Sequence, residues 1–241
     1  MCLSCQHPQV YNPCMTSKAL RAFTLILLLV SLAGNAFAAT HIMAHKGANP
    51  DVALKLLMAG NRRFVSGKME HPHQSAQRRQ QTAKEGQRPF AVILSCSDSR
   101  VPPEVIFDAG IGDIFSVRVA GNVADKAAVG SIEYAIDHLG ATLIMVLGHS
   151  GCGAVSAAVS NAEVGPNIAS ITDRIKPAVA KARAGHFTGD ALLGEAIKDN
   201  VGQGIQDILS ASPDLSKRVK AGEVEIVGGV YDLDTGRVTK L

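Results

Sequence analysis

Residues 90–104 read FAVILSCSDSRVPPE, and the abrupt change of character after Ser95 decides the fold class. Residues 90–95 form an apolar run of strand length that Pro89 precedes and a polar, chemically loaded loop follows. A near-continuous apolar strand is buried on both faces, which is the mark of a parallel sheet. Two further runs of the same kind follow at 114–119 and 142–147, separated by stretches long enough for crossovers and helical in period over 127–139. A fourth run, 224–230, leads through Asp234-Thr235-Gly236 into 237–241, which predicts a closing hairpin with an antiparallel edge strand. The fold class is therefore α/β, a central parallel sheet with an antiparallel edge strand, flanked by helices.

Outside these strands the pattern is helical. Over 51–65 the residues Val52, Leu56, Leu57 and Phe64 recur with helical spacing, and Asn49-Pro50-Asp51 supplies a cap and a first-turn proline. A polar helix is expected over 75–85, and longer ones over 168–184 and 191–209. No internal repeat and no linker divides the chain.

The first 38 residues read differently. Residues 23–32 are an apolar run preceded by Lys18 and Arg21 and followed by Ala36-Phe37-Ala38, the small-x-small pattern of a signal peptidase site. The run is shorter than the roughly 20 apolar residues a membrane helix needs. Residues 1–38 are thus expected to be a leader cleaved after Ala38, with Met15 an alternative start, leaving 39–241 as a single domain exported to the bacterial periplasm. No stable membrane insertion is expected after cleavage. Cys2, Cys5 and Cys14 belong to the leader, so the mature chain keeps Cys96 and Cys152.

The chain has 241 residues, enough for one domain with a substantial core. Its formal net charge of +3 falls to +1 without the leader. Basic residues such as Arg62, Arg63, Arg78, Arg79 and Lys84 are interleaved with polar ones on helices instead of gathered with aromatics, so no nucleic-acid partner is expected.

Active sites of open parallel sheets lie beyond the carboxyl ends of the strands. The strand at 90–95 runs into Cys96-Ser97-Asp98-Ser99-Arg100, and that at 142–147 into Gly148-His149-Ser150-Gly151-Cys152-Gly153. His149 and Cys152, three residues apart in a glycine-rich turn, can converge on one ion, and a neighbouring strand would bring Cys96 alongside. Two thiolates and one imidazole make a soft site suited to Zn2+, one ion per subunit, with the fourth position open or taken by Asp98 in a closed state. Three protein ligands and one exchangeable position is the catalytic arrangement. Arg100 can hold Asp98 away from the metal in a bidentate pair, leaving zinc to lower the pKa of a bound water from 15.7 to around 7. Asp98 would then orient the resulting hydroxide. In an exported protein, two cysteines also admit a plain alternative, a Cys96–Cys152 disulfide in a non-catalytic binding protein. A phosphate-loop reading of 148–153 fails, because the turn lacks the Lys and Ser/Thr of a P-loop.

The motifs CSDSRVPPE at 96–104, FSVRVAGN at 115–122, GSIEYA at 130–135 and GHSGCGAV at 148–155 together resemble the β-class carbonic anhydrases, in family order over about residues 87–159. The resemblance implies a Rossmann-like subunit, zinc on Cys96, His149 and Cys152, and an Asp98–Arg100 dyad. It also implies a homodimer or homotetramer in which the N-terminal helices pack on the partner subunit. The reaction it implies is the reversible hydration of CO2 to bicarbonate and a proton by attack of zinc-bound hydroxide.

Further matches point to the plant-like subtype. Gln87 stands where that subtype places a glutamine donating to a substrate oxygen across the dimer interface. Phe115 and Tyr134 match residues lining its CO2 pocket, to which Ile93 and the Gly121–Asn122 backbone are added here, and Ala120 stands where that subtype often has a larger Val. The bicarbonate-inhibited subtype tends to carry Trp at the position of Ile93, and this chain has no Trp, although Arg118 matches a basic residue of that subtype's inhibitory site. A relative acting on CS2 or COS at the same zinc site is the alternative substrate reading.

Overall fold

A computed structural model describes residues 49–241, all within one compact unit, His45–Leu241. The expected leader, with Cys2, Cys5, Cys14 and the expected cleavage after Ala38, lies outside the described residues. The chain opens with α1 (Pro50–Val65), α2 (Ala76–Glu85), β1 (Ala91–Ser95), the short α3 (Pro103–Ile106) and β2 (Ile114–Arg118). A 3-10 turn (Ala120–Asn122), α4 (Lys126–Leu139), β3 (Leu143–His149), α5 (Gly153–Ser160) and α6 (Pro166–Ala184) follow. The chain closes with α7 (Gly189–Ala211), α8 (Pro213–Lys220), β4 (Glu225–Tyr231) and β5 (Val238–Lys240).

The five strands form one sheet in the order β2-β1-β3-β4-β5, parallel throughout except for the antiparallel β4–β5 pair. β1 and β3, at the centre, are buried at every residue, as their unbroken apolar sequences require. β2 lies at an edge, and it exposes Arg118 and half-exposes Phe115 and Ser116.

One face of the sheet packs Ile93, Met145 and Leu147 against Ala53 and Leu57 of α1 and Ile106 and Phe107 beside α3. The opposite face packs Val92, Leu94, Ile144 and Val146 against α4, α7 and Leu215 of α8. A third cluster, at the carboxyl ends of the strands, joins Cys96 and Cys152 to Val155 of α5, Ile175 and Val179 of α6, and Ile197 of α7.

α1 starts where the sequence places it, with the Asn49 carboxamide accepting from the Asp51 N–H at 2.8 Å. Its close approach to α3 depends on Gly60, whose added Cβ would fall 1.8 Å from the Phe107 carbonyl oxygen. Asn61 then ties α1 to the far end of the chain, donating to Ile106 and Gly236 carbonyls and accepting from the Val238 N–H.

Two differences from the sequence reading matter. β3 runs on through Gly148 and His149, because β4 extends alongside it and pairs Tyr231 with His149. His149 therefore sits on the sheet and not in the loop beyond it. α8 is an addition, although its signal stands in the sequence: the Ser212 hydroxyl caps Leu215 N–H and Pro213 opens the first turn. Among the described residues, no helix is long and apolar enough to cross a membrane.

The loop that feeds β2 is pinned by a buried carboxylate. Asp108, at φ 42°, accepts from Arg63 Nε at 2.5 Å, Glu70 N–H at 2.9 Å and His71 N–H at 3.0 Å. Burial alone would raise this carboxyl, but those three donors hold it below the usual carboxylate range. A depressed folded value means that the carboxylate's contribution is complete above the unfolded pKa of about 3.9 and is lost as pH falls through the folded one. Asp108→Asn is expected to cost roughly 2 kcal/mol at neutral pH, with the gap from wild type closing only below about pH 4. Urea unfolding across that range checks this.

Candidate metal centre

Two neighbouring parallel strands and the helix beyond them deliver the site. Cys96 is the first residue beyond β1, His149 the last of β3, and Cys152 the N-cap of α5, three residues further on. β1 and β3 run in register, with Ser95 opposite Leu147, so their carboxyl ends lie level. The two sulfurs and an imidazole nitrogen come within 4.8 Å of one another, and all three residues are buried.

The ring of His149 is oriented by its own backbone, its Nδ1 lying 2.9 Å from the Ser150 carbonyl oxygen. That carbonyl can only accept, so Nδ1 carries the proton and Nε2 presents a lone pair. Nε2 is buried with no hydrogen-bond partner, which is costly for an imidazole nitrogen unless a cation takes the lone pair. Both cysteines are free, and the Cys96–Cys152 disulfide alternative is thereby overturned.

The charge state of the sulfurs points the same way. The Cys96 thiol is drawn far down, first by the hydrogen bond from the Cys152 side chain and then, against the cost of burial, by the N–H groups of Gly121 and Asp98. Cys152 is pushed up by the same hydrogen bond and by its burial. The two shifts are opposed, so one sulfur is favoured as a thiolate and the other as a thiol. A second thiolate in the same space needs a cation, and two thiolates with one neutral imidazole are the donor set of a soft divalent metal such as zinc.

Asp98 stands beside this group without joining it. Its Oδ2 is 4.0 Å from His149 Nε2, while Arg100 grips it bidentately, Nε to Oδ1 at 3.0 Å and a terminal nitrogen to Oδ2 at 2.8 Å. The Arg100 N–H adds a third bond to Oδ1 at 2.9 Å. That guanidinium holds the Asp98 carboxyl well below the usual carboxylate range. Gly121 donates its N–H to Cys96 Sγ at 3.3 Å, and the Asn122 side chain is buried next to it.

The residues matched to the substrate pocket are not gathered at this centre. Gln87 is exposed and precedes β1, at the amino end of the strand whose carboxyl end leads to Cys96. Phe115, the second residue of β2, faces Tyr134 of α4 with ring centroids 6.3 Å apart, and Tyr134 is 51% exposed and stacks on His138. Ile93 requires a correction. It pairs with Ser116, one step from Phe115, so it points to the opposite face of the sheet, where it is wholly buried against α1.

Arg118 has a part that its position in the motif does not disclose. From the edge strand, its Nε reaches the Cys96 carbonyl at 3.2 Å and a terminal nitrogen the Asp98 carbonyl at 2.6 Å. The guanidinium thus clamps the loop that presents both the first sulfur and the carboxylate.

The profile of the family described as carbonic anhydrase matches residues 91–238. Carbonic anhydrase 2 of Mycobacterium tuberculosis is 42% identical over 193 residues, covering 78% of this chain and 91% of the relative. The carbonic anhydrase of Mycolicibacterium smegmatis is 40% identical over 195 residues, covering 79% and 93%. Among solved structures, the β-carbonic anhydrase CcaA superposes with a TM-score of 0.61 at 27% identity, covering 78% of this chain and 86% of that one. The β-carbonic anhydrase CafA of Aspergillus fumigatus gives 0.62 at 26% identity, covering 78% and 90%.

Removing the Arg118 clamp is expected to free the 97–101 loop without unfolding the protein. In Arg118→Ala, amide exchange of those residues should quicken by about tenfold, while global stability falls by about 1 kcal/mol. Hydrogen-exchange mass spectrometry, alongside urea unfolding, reads both.

Proposed function

The chain belongs to the β-class carbonic anhydrases, and on that premise we propose that it is a zinc enzyme interconverting CO2 and bicarbonate, with Cys96, His149 and Cys152 as the ligands. The observation that carries the metal assignment is the buried, unpartnered Nε2 of His149, facing two free sulfurs. A bound zinc ion supplies Lewis acidity, which makes water a nucleophile near neutral pH.

The chain's own residues do the rest. Asp98, kept ionised and turned aside by Arg100, accepts a hydrogen bond from the attacking hydroxyl and aims its lone pair at the carbon of CO2. Held in this pose, Asp98 stays off the metal, which Cys96, His149 and Cys152 would hold. The 3.3 Å bond from Gly121 N–H to Cys96 relieves part of the sulfur's charge. The adjoining Gly121–Asn122 backbone borders the position where bicarbonate forms.

Within one subunit Gln87 precedes β1, and Phe115, opposite Val92, faces Tyr134, while that subunit's own centre lies past the carboxyl end of β1. We assign them to a partner's, with Gln87 donating its amide to a substrate oxygen and Phe115 and Tyr134 walling an apolar recess. A homodimer, alone or paired into a tetramer, is then the working unit, with the N-terminal helices packed on the partner. The absence of Trp and the Asp98–Arg100 pairing favour the plant-like subtype, which lacks the bicarbonate switch. The N-terminal sequence favours export to the periplasm after cleavage near Ala38, with 39–241 as the mature domain.

Stopped-flow CO2 hydration with zinc-quantified protein tests the assignment. Wild type should carry one zinc per chain and turn over CO2. Cys152→Ala should lose both the metal and the activity. Asp98→Asn should keep its zinc and lose about a hundredfold in rate. Inactive, fully zinc-loaded wild type would defeat the proposal.

A further inference from the structure

The hydrogen bond from Gly121 to Cys96 depends on how the backbone turns at one glycine. Gly121 has φ 67° and ψ 18° inside the 3-10 turn, a left-handed conformation in which glycine is free and other residues are strained. A glycine has no side chain with which to hold that pose, so its neighbours must impose it. An added Cβ would lie 2.7 Å from Ile175 Cδ1 on α6 and 3.1 Å from Ala154 Cβ on α5. These contacts bar any larger residue, but they supply no directional bond. The directional bond comes from α7, where Asn200, only 3% exposed, donates Nδ2–H to the Gly121 carbonyl at 2.8 Å.

We propose that Asn200 is a positioning residue of the metal centre: by holding the Gly121 carbonyl, and with it the Gly121–Asn122 peptide, it fixes the left-handed turn at Gly121 in which the preceding peptide's N–H points at Cys96 Sγ, and so sets how strongly that sulfur donates to the metal. The inference rests on the zinc centre proposed above. The chain of contact is short and buried at each link, Asn200 Nδ2 to Gly121 O, then Gly121 N to Cys96 Sγ, although Asn200 and Cys96 lie far apart in sequence. An N–H bond to a thiolate withdraws density from the sulfur, and losing it makes the sulfur a stronger donor. Outer hydrogen bonds of this kind shift metal affinity and reactivity by tens-fold factors. The same carboxamide also supports the fold, by satisfying a buried carbonyl, so a test must separate tuning from mere support.

Cobalt(II) takes the same sulfur and imidazole ligands and reports on them by its sulfur-to-metal charge-transfer absorption. In cobalt-substituted full-length protein, Asn200→Leu, close in volume but without the donor, is expected to move that band to longer wavelength. Asn200→Ala is the second variant should leucine not fit, with the same expected shift. A purely structural role would lower the unfolding midpoint and leave the band where it is, because the ligand set is unchanged. A band at the wild-type position in the variant that folds overturns the proposal. Wild type that takes up no cobalt or zinc overturns the metal centre itself, an outcome seen before any Asn200 variant is compared.

Discussion

β1 and β3 lie side by side, parallel and level, with Ser95 opposite Leu147. Because the strands share direction and register, the residue just past β1 and the residue that ends β3 emerge close together, and a sulfur meets an imidazole there. A register slip of one residue would turn His149 to the other face of the sheet. The apolar layers on both faces exclude such a slip: moving β3 by one step would exchange Met145 and Leu147 with Ile144 and Val146 across two differently shaped clusters. The metal centre thus inherits its geometry from hydrophobic packing along the central strands.

Around that junction the chain arranges charge so that a cation is wanted and a carboxylate is kept waiting. Two free sulfurs stand at close quarters, and the imidazole beside them offers a buried lone pair with no hydrogen-bond partner. Asp98 could compete for the same place but is drawn off by three hydrogen bonds from Arg100. Arg118, from the next strand, holds the loop's carbonyls. The two arginines divide the labour: one governs the carboxylate, the other the backbone that carries it.

Other exposed groups stand at the edge of the sheet. Phe115 and Tyr134 make a half-open aromatic pair beside the edge strand β2, and Gln87 stands exposed before β1. These are large or polar groups without a cavity of their own, some way from the sulfurs. A second subunit laid against this edge would give them a centre to face, which accounts for apolar and amide groups at a surface that one chain leaves uncovered.

Much of this was legible in the residues. Central strands announce themselves by unbroken apolar runs, since burial on both faces leaves no room for polar alternation. His149 and Cys152 are three residues apart, so the chain itself brings them together, and the bidentate reach of Arg100 to Asp98 is equally local. Coordination chemistry resides in side-chain type, which is why Cys, His and Cys at strand ends sufficed to name a soft metal. What the tertiary structure alone decided are the relations between distant segments: that Ile93 and Phe115 face opposite ways, that His149 is held on the sheet by Tyr231, that Arg118 clamps the loop of Cys96, and that Asn200 steadies Gly121. These depend on strand register and helix placement, which the summed packing of the whole chain settles and no local stretch of sequence encodes.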